Sequence, residues 1–466
     1  MIKKYLGVLF LLFFWAALFA DIAPAEVKAD YGGAFRLRQE YWENTTSLQT
    51  ETNNTHEDRD FFRLRTTLWG KVDVNKDFGA YLRLLNEARY YIGNYKPEFE
   101  LGKGNRDNID VDELIVDNLY IDYKNVFGVP LDLRIGRQDF LGAYGEGFLI
   151  VDGTPVDGSR SFYFNAVKAT VKINKDNSVD LVYTKNPKTD QYMPSLYPAR
   201  PNGASYYDNK RILSASDEEG AWLYVKSKVN DNFAIEPYYI YKKEDPVGSN
   251  QTLKLNTTGA RAVFTAGTWK VRGEFAHQFG KYDDTATITG KDRKANGGYI
   301  FAGQKYEKMA LKPEWELGYV YLSGDDPTTT EHEGWDPLFS RGAAWNELYI
   351  YTLIPESAGK EGFAAPGYWT NMHLYKFGVK LALASATNLG LSYQILKADQ
   401  NTSGLSAAMY TNNSKDRGQL ATLMLTHAFT KQIDGFLQAE YFVPGKFYTD
   451  QAQNAAFLRW QLQFKF

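Results

Sequence analysis

The chain has 466 residues, a net charge of -3, no cysteine, and an aromatic content of 15% with 33 Tyr, 29 Phe and 10 Trp. Lack of cysteine excludes disulfides and thiolate metal sites, and the slightly acidic balance is not that of a nucleic-acid binder. No stretch approaches the roughly 18 uninterrupted apolar residues that a spanning helix needs. The mean hydropathy is -0.44, so helical membrane spanning is excluded, while a barrel, whose lipid-facing residues alternate with polar ones, is still allowed.

Residues 1–20 combine Lys3 and Lys4 with an apolar run from Tyr5 to Leu18 and a small residue at Ala20. This is the pattern of a secretory signal peptide, with cleavage after Ala20 or alternatively Ala25, and it leaves 21–466 as one domain. Period-two segments then follow one another along the mature chain. The first are Ala34 to Asn44, Asp60 to Asp73, Phe78 to Tyr91, Glu113 to Lys124, Leu131 to Gln138, Ser161 to Ile173 and Ser178 to Thr184. The middle supplies Gly220 to Val229, Phe233 to Lys243, Thr258 to Ala266, Thr268 to Phe279, Gly297 to Lys305 and Lys312 to Leu322. The last are Met372 to Leu383, Asn388 to Lys397, Gly418 to Phe429, Gln432 to Pro444 and Ala455 to Phe466. That makes about 18 strands, the even count of a single-chain barrel. The stretch Trp345 to Leu353 reads either as one more strand or as an ordered loop.

Connections alternate in length. Short turns at Val74 to Asp77, Asn174 to Asp176, Asn230 to Asp231, Gly267, Ser385 to Thr387 and Thr430 to Lys431 are rich in hairpin residues. Long connections lie between them, among them Thr45 to Arg59, Asn186 to Glu219 and Ser323 to Asn371. Short periplasmic turns and long extracellular loops are the signature of an antiparallel transmembrane β-barrel, all-β, in the outer membrane of a Gram-negative bacterium. The last segment alternates Leu458, Trp460, Leu462, Phe464 and Phe466 against Arg459, Gln461, Gln463 and Lys465, as a closing strand with one face on outer-membrane lipid would.

An unpaired charge at the membrane midplane costs about 2 to 4 kcal/mol, so the apolar set on each strand faces lipid and the polar set faces the lumen. The last strand and the first three then turn Arg459, Arg36, Arg38, Arg63, Arg65, Arg83 and Arg89 onto one lumenal sector. Lys168, Lys172, Arg261, Lys270, Arg272, Lys376 and Lys380 follow farther round, with acids such as Glu40, Glu87, Asp122, Glu236, Glu274, Glu316 and Glu440 between them. Arg and Glu ladders can simply brace a wet lumen. Arginines clustered along one wall also focus a positive potential and draw in anions, and their planar forks suit carboxylates.

Several pieces of the chain stand out as motifs. They are Leu119-Tyr120-Ile121-Asp122, Leu133-Arg134-Ile135-Gly136-Arg137-Gln138, Tyr144-Gly145-Glu146-Gly147, and Asp157-Gly158-Ser159-Arg160-Ser161-Phe162 with Asn165-Ala166-Val167. Together with Gly334-Trp335-Asp336-Pro337-Leu338-Phe339 and Glu347-Leu348-Tyr349-Ile350-Tyr351, these pieces resemble the alginate export family of outer-membrane porins. The resemblance implies an 18-stranded monomeric barrel that passes a polyanionic polysaccharide outward through an arginine-rich constriction, gated by loops or a periplasmic turn. It also implies work beside a periplasmic scaffold lipoprotein and an inner-membrane synthase. Arg134, Arg137 and Arg160 join the pore-lining arginines on this basis. Strict alternation from Leu131, Leu133 and Ile135 points Arg137 at lipid, so either a β-bulge re-aims it or it lies at the outer end of its strand. Arg160 is expected at a loop-strand boundary near the pore mouth.

An outer-membrane enzyme is the rival from another class. The five histidines are His56, His277, His332, His373 and His427, and no Gly-x-Ser-x-Gly or His-Glu-x-x-His pattern occurs. Glu331-His332-Glu333 reads as a solvated loop rather than a metal site. The expectation is a channel without catalytic residues, cofactor or metal, whose cargo is an anionic polysaccharide or, alternatively, small anions taken up passively.

Overall fold

The computed structural model describes residues 27–45, 48, 58–92, 109–111, 113–151, 159–160, 162–191, 193, 213, 216–247, 251–340, 345–348, 370–401, 411 and 414–466. The expected signal peptide with both cleavage points, His56, residues 157–158 and 161, and 349–353 lie outside them.

Alternating residues produce the strands β1 (Lys28–Glu43), β2 (Arg59–Asp73), β3 (Phe78–Tyr91), β4 (Ile109–Val111), β5 (Ile115–Tyr123), β6 (Leu131–Gln138), β7 (Phe164–Lys172), β8 (Asn177–Asn186) and β9 (Asp217–Asn230). The series continues with β10 (Phe233–Val247), β11 (Gln251–Ala266), β12 (Trp269–Tyr282), β13 (Asp292–Lys305), β14 (Glu314–Leu322), β15 (Met372–Ala384), β16 (Thr387–Lys397), β17 (Asp416–Ala428), β18 (Ile433–Pro444) and β19 (Ala455–Lys465). Sequential strands pair antiparallel, and β1 pairs with β19 from Ala34 opposite Lys465 to Glu43 opposite Ala456. The sheet therefore closes. β4 and β5 both pair with β3, so they are one interrupted strand and the ring has 18 positions. Phe466 and Gly33 exchange backbone hydrogen bonds of 3.0 and 3.1 Å, and a Cβ at Gly33 would meet the Phe466 ring at 2.7 Å.

All the expected strands are present, and several run longer. β10 continues to Val247 and β11 begins at Gln251, so only 248–250 join them on the long-loop side, and the alternation of loop lengths breaks there. Glu244 hides this extension from a reading of apolar periods, because it turns inward beside Lys242.

Outward parity is apolar as expected: Phe35, Leu68, Leu82, Ile135, Leu223, Phe275, Ile300, Leu391, Leu458, Leu462 and Phe464 are exposed on the surface that faces lipid. The lumen departs from the expectation. Toward the long-loop end its wall is aromatic and aliphatic, with Trp222, Tyr224, Leu253, Leu255, Phe301, Leu374, Phe442 and Phe457 buried on inward parity. A ring this wide cannot be filled by its own side chains. Segments of the long connections fold in and fill it: Phe140, Tyr144, Phe148, Leu149 and Ile150 from one, and Trp335, Leu338, Phe339 and Leu348 from another. The two segments bond to each other through Phe339 N to Leu149 O at 3.0 Å and Val151 N to Phe339 O at 2.8 Å. Phe148 stacks on Trp335 with centroids 5.2 Å apart, and Trp335 lies over Gly297, where a Cβ would sit 2.5 Å from the indole. The described part of Trp345 to Leu353, residues 345–348, is such an inward loop segment and not a strand.

Where β4 gives way to β5 the wall loses its regular ladder. Ser159 Oγ accepts a bond from Glu87 N at 2.8 Å, and Asp117 is the extra residue of a bulge between Arg83 and Leu84. A buried network lies alongside. Arg137 binds Asp190 at 2.6 Å and the Val116 carbonyl at 3.0 Å, and covers the Tyr163 ring at 4.0 Å. Arg160 binds Asp190 at 3.0 Å and also pairs with Glu113. Burial opposes ionisation of Asp190, but Arg137, its hydrogen bond and then Arg160 outweigh it and hold the carboxyl below the usual range.

Two outcomes are expected. Trp335→Ala removes a buried indole, a change that typically costs about 3 to 5 kcal/mol, and should open the β14–β15 connection to protease while leaving the strands heat-stable; protection equal to wild type would mean the indole is not the anchor. A carboxyl held low stabilises at pH above its ordinary value near 3.9, and that contribution is lost as pH falls through the depressed value. Hydrogen exchange around Tyr163 should therefore rise in strong acid, whereas Asp190→Asn should show that rise already at neutral pH, by about 3 to 5 kcal/mol of local protection, and lose the acid dependence.

Candidate functional site

The site is built by register. Pairing of β1 with β2 sets Arg36 opposite Arg65 and Arg38 opposite Arg63, and pairing of β2 with β3 sets Arg63 opposite Arg89. Like charges directly opposite on a sheet are destabilising, so this stack needs anions. Two fully buried glutamates provide them. Glu87 receives Arg36 at 2.8 Å, Arg63 at 2.7 Å, Arg65 at 3.0 Å and Arg89 at 3.5 Å. Glu40 receives Arg459 at 2.9 Å, Arg63 at 3.2 Å and Arg38 at 3.3 Å, with the Trp42 indole donating at 3.1 Å. Gln461 accepts two bonds from Arg38, at 2.7 and 3.0 Å, and Glu347 reaches in from the β14–β15 connection to Arg459 at 3.1 Å.

Six of the expected arginines, Arg36, Arg38, Arg63, Arg65, Arg89 and Arg459, thus meet in one cluster. Arg63 and Arg459 form its buried base, while the side chains of Arg36, Arg38 and Arg65 stay 13–14% exposed and keep a face in the lumen. Arg83 stands beside them, held by Asp117 and by Asp139 at 2.8 Å. Arg134 lies farther round on inward parity, bidentate to Asp122 at 2.7 and 2.9 Å and 4.0 Å above the Tyr120 ring.

Arg137 and Arg160 do not join them. They are 2% and 1% exposed and are engaged in the wall network, so their expected place in the pore lining is corrected. Neither pairing of β6 carries a register shift, so no bulge turns Arg137 inward; it lies at the outer end of β6 on the parity of Ile135. Arg160 is drawn to Asp190 and Glu113 rather than to the mouth.

Half-way round the ring, β11 to β13 carry the opposite wall. Arg261 binds Glu236 at 3.0 Å, Arg272 pairs with Glu316, and Glu146 from the inward segment sits between the two arginines, 2.5 Å from Arg272 and 3.7 Å from Arg261. Tyr144 of the same segment lies 4.8 Å from Tyr224 and beneath the Lys226 ammonium at 4.9 Å. Glu347 N and Leu348 N donate to Glu440 at 3.0 and 2.7 Å. Inward segments therefore touch the wall from β7 to β13 and again at Lys376, Gln394, Glu440 and Arg459 of β15, β16, β18 and β19. Glu146, Glu347 and Tyr144 were not expected among the lumenal residues, although the Tyr144 to Gly147 and Glu347 motifs were visible; strand alternation says nothing about where a loop turns. Among the described residues no group of three or more His, Asp or Glu could hold a metal ion.

The fold is that of outer-membrane porins. A BenF-like porin from Pseudomonas fluorescens Pf-5 superposes with a TM-score of 0.56 at 12% identity, over 95% of this chain and 99% of that one. OccAB1 of Acinetobacter baumannii gives 0.55 at 11% identity over 96% and 98%, and OccK8 (OprE) of Pseudomonas aeruginosa gives 0.54 at 11% over 94% and 98%. No curated protein sequence matches significantly. The family model for alginate export matches residues 27–461, nearly the whole chain, and this outer-membrane channel belongs to that family.

Proposed function

We propose that the channel conducts anions and that its cargo is an anionic polysaccharide of the alginate type, passed outward along the arginine cluster. The observation that carries this reading is the directly opposed set Arg36, Arg65, Arg38 and Arg63 on β1 and β2. A barrel that needed only a polar lining would alternate signs across its ladders. Between β1 and β2 guanidiniums face guanidiniums, locked in place by two buried carboxylates in neighbouring positions of the ladders, Glu87 opposite Arg65 and Glu40 opposite Arg459. Forks held rigid in this way present donors to a passing carboxylate at little further entropic cost, and a uronate chain offers a carboxylate on every sugar. Glu40 and Glu87 moderate the field, which suits conduction, since a site must bind weakly enough to release.

A passive pore for small anions is the second reading, favoured by the inward segments around Phe148 and Trp335, which narrow the lumen. In either case the native protein is expected to act as a single barrel. A periplasmic scaffold lipoprotein, if one serves it, would meet the short-turn rim.

In planar bilayers the purified protein should prefer anions, and the combined variant Arg36→Gln, Arg38→Gln and Arg65→Gln should lower the anion-to-cation permeability ratio several-fold. Cation preference in the unmodified protein would sink the reading. Oligouronates added on the periplasmic side should produce resolved current blocks that neutral oligosaccharides of equal length do not; open-channel conductance of chloride with no uronate block would favour the small-anion pore.

A further inference from the structure

The outward face of β8 to β13 carries a feature that lumenal transport does not use. At the long-loop end, one row of directly opposed residues runs Lys185, Glu219, Lys243, Lys254, Lys281 and Asp292, crossing six neighbouring strands. Their inward neighbours, Glu218, Lys242, Leu253, Leu255 and Arg293, are buried, so this row faces away from the lumen. Lys243, Lys254 and Lys281 are consecutive in it, three lysines whose backbone positions span about 10 Å at ordinary strand spacing. Like charges so placed repel unless an anion bridges them. Lys243 reaches Asp245 at 3.1 Å and Lys254 reaches Asp283 at 2.6 Å, both half-solvated pairs of the kind that contribute little. Lys281 is exposed and makes no ion pair among the described residues.

On the membrane side of the Lys185–Glu219–Lys243 end of this row, and to one side of Lys254 and Lys281, is an apolar groove of about 380 Å³, walled by Val167, Leu181, Tyr183, Leu223, Tyr239 and Tyr241. Ala221 makes the notch, because in the register it stands between Tyr183 and Tyr241, where a larger side chain would fill the gap. The tyrosine hydroxyls point to polar partners, Tyr183 to Glu219 at 2.8 Å and Tyr239 to Asn256 at 2.6 Å, and leave the ring faces to the groove.

We infer that this face binds a phosphorylated, multiply acylated glycolipid of the outer leaflet, with phosphates across Lys243, Lys254 and Lys281 and an acyl chain in the Ala221 groove. A headgroup carrying more than one phosphate bridges adjacent lysines as a single-charge phospholipid cannot, and a chain seated at a fixed place below it matches the juxtaposition of row and groove. Glu219 and Asp292 flank the three central lysines and confine the anion to them. The inference needs only that the barrel sits in an outer membrane with its long loops outward, and it is independent of what the lumen carries.

The test uses the purified barrel in detergent. Lipopolysaccharide, phosphatidylglycerol at equal charge and inorganic phosphate are each titrated, and the unfolding temperature is read for wild type, the combined variant Lys243→Gln, Lys254→Gln and Lys281→Gln, and Ala221→Leu. Because all four positions face away from the lumen, wild-type conductance in bilayers certifies that the variants are folded. Lipopolysaccharide should raise the wild-type unfolding temperature by several degrees, the lysine variant should lose most of that rise, and Ala221→Leu should lose part of it. No rise in wild type, an equal rise in the lysine variant, or an equal rise with phosphatidylglycerol or phosphate alone would overturn the assignment.

Discussion

Everything in this molecule follows from the closure of one sheet. In hydrocarbon there is no water to satisfy a strand edge, so β1 must find β19, and the two do so over ten residue pairs with Phe466 and Gly33 completing the seam. Closure then imposes parity: side chains alternate between lipid and lumen on every strand, and each charge has one side on which it is tolerable. The arginine cluster is a product of this rule applied to four strands that are neighbours only because the ring is shut. Arg459 and Glu40 lie 419 residues apart in the chain and directly opposite in space.

An 18-position ring creates a second problem, an interior too wide for its own side chains. The chain meets it by turning parts of its long connections inward and burying their aromatics against the wall. Phe148, Trp335 and Phe339 form a hydrophobic core inside the barrel rather than between layers of a domain. That core gathers toward the long-loop end and runs round the ring, taking in Trp42, Phe61, Tyr91 and Phe457 as well as Trp222 and Phe301, while the side chains of Arg36, Arg38 and Arg65 stay 13–14% exposed.

In the proposed reading, stability and selectivity draw on the same residues. Glu40 and Glu87 are necessary because opposed arginines would otherwise push β1, β2 and β3 apart, yet each glutamate also takes up part of the field that would attract an anion. Arg63 is shared between the two, so six arginines meet these two buried glutamates, with Glu347 on Arg459 as a further acid among the described residues. Arg137 and Arg160 show the other resolution, in which buried arginines are matched by Asp190 and Glu113 and serve only to seal a break in the wall.

The sequence by itself determined the strands, their number, their lipid and lumen faces and the closing role of Leu458 to Phe466, because alternation is a local property and lipid punishes any error in it. It also determined that Arg36, Arg38, Arg63, Arg65, Arg83, Arg89 and Arg459 would share a wall. Only the tertiary structure decided which of them would meet. Register is fixed by whole ladders, and it brought six together on Glu40 and Glu87 while leaving Arg83 to Asp117 and Asp139, and Arg134, farther round, to Asp122. The destination of Tyr144, Glu146, Trp335 and Glu347 was equally beyond local reading. A loop has no period, and these residues turn inward because a closed ring leaves a void that their aromatic and charged groups can fill.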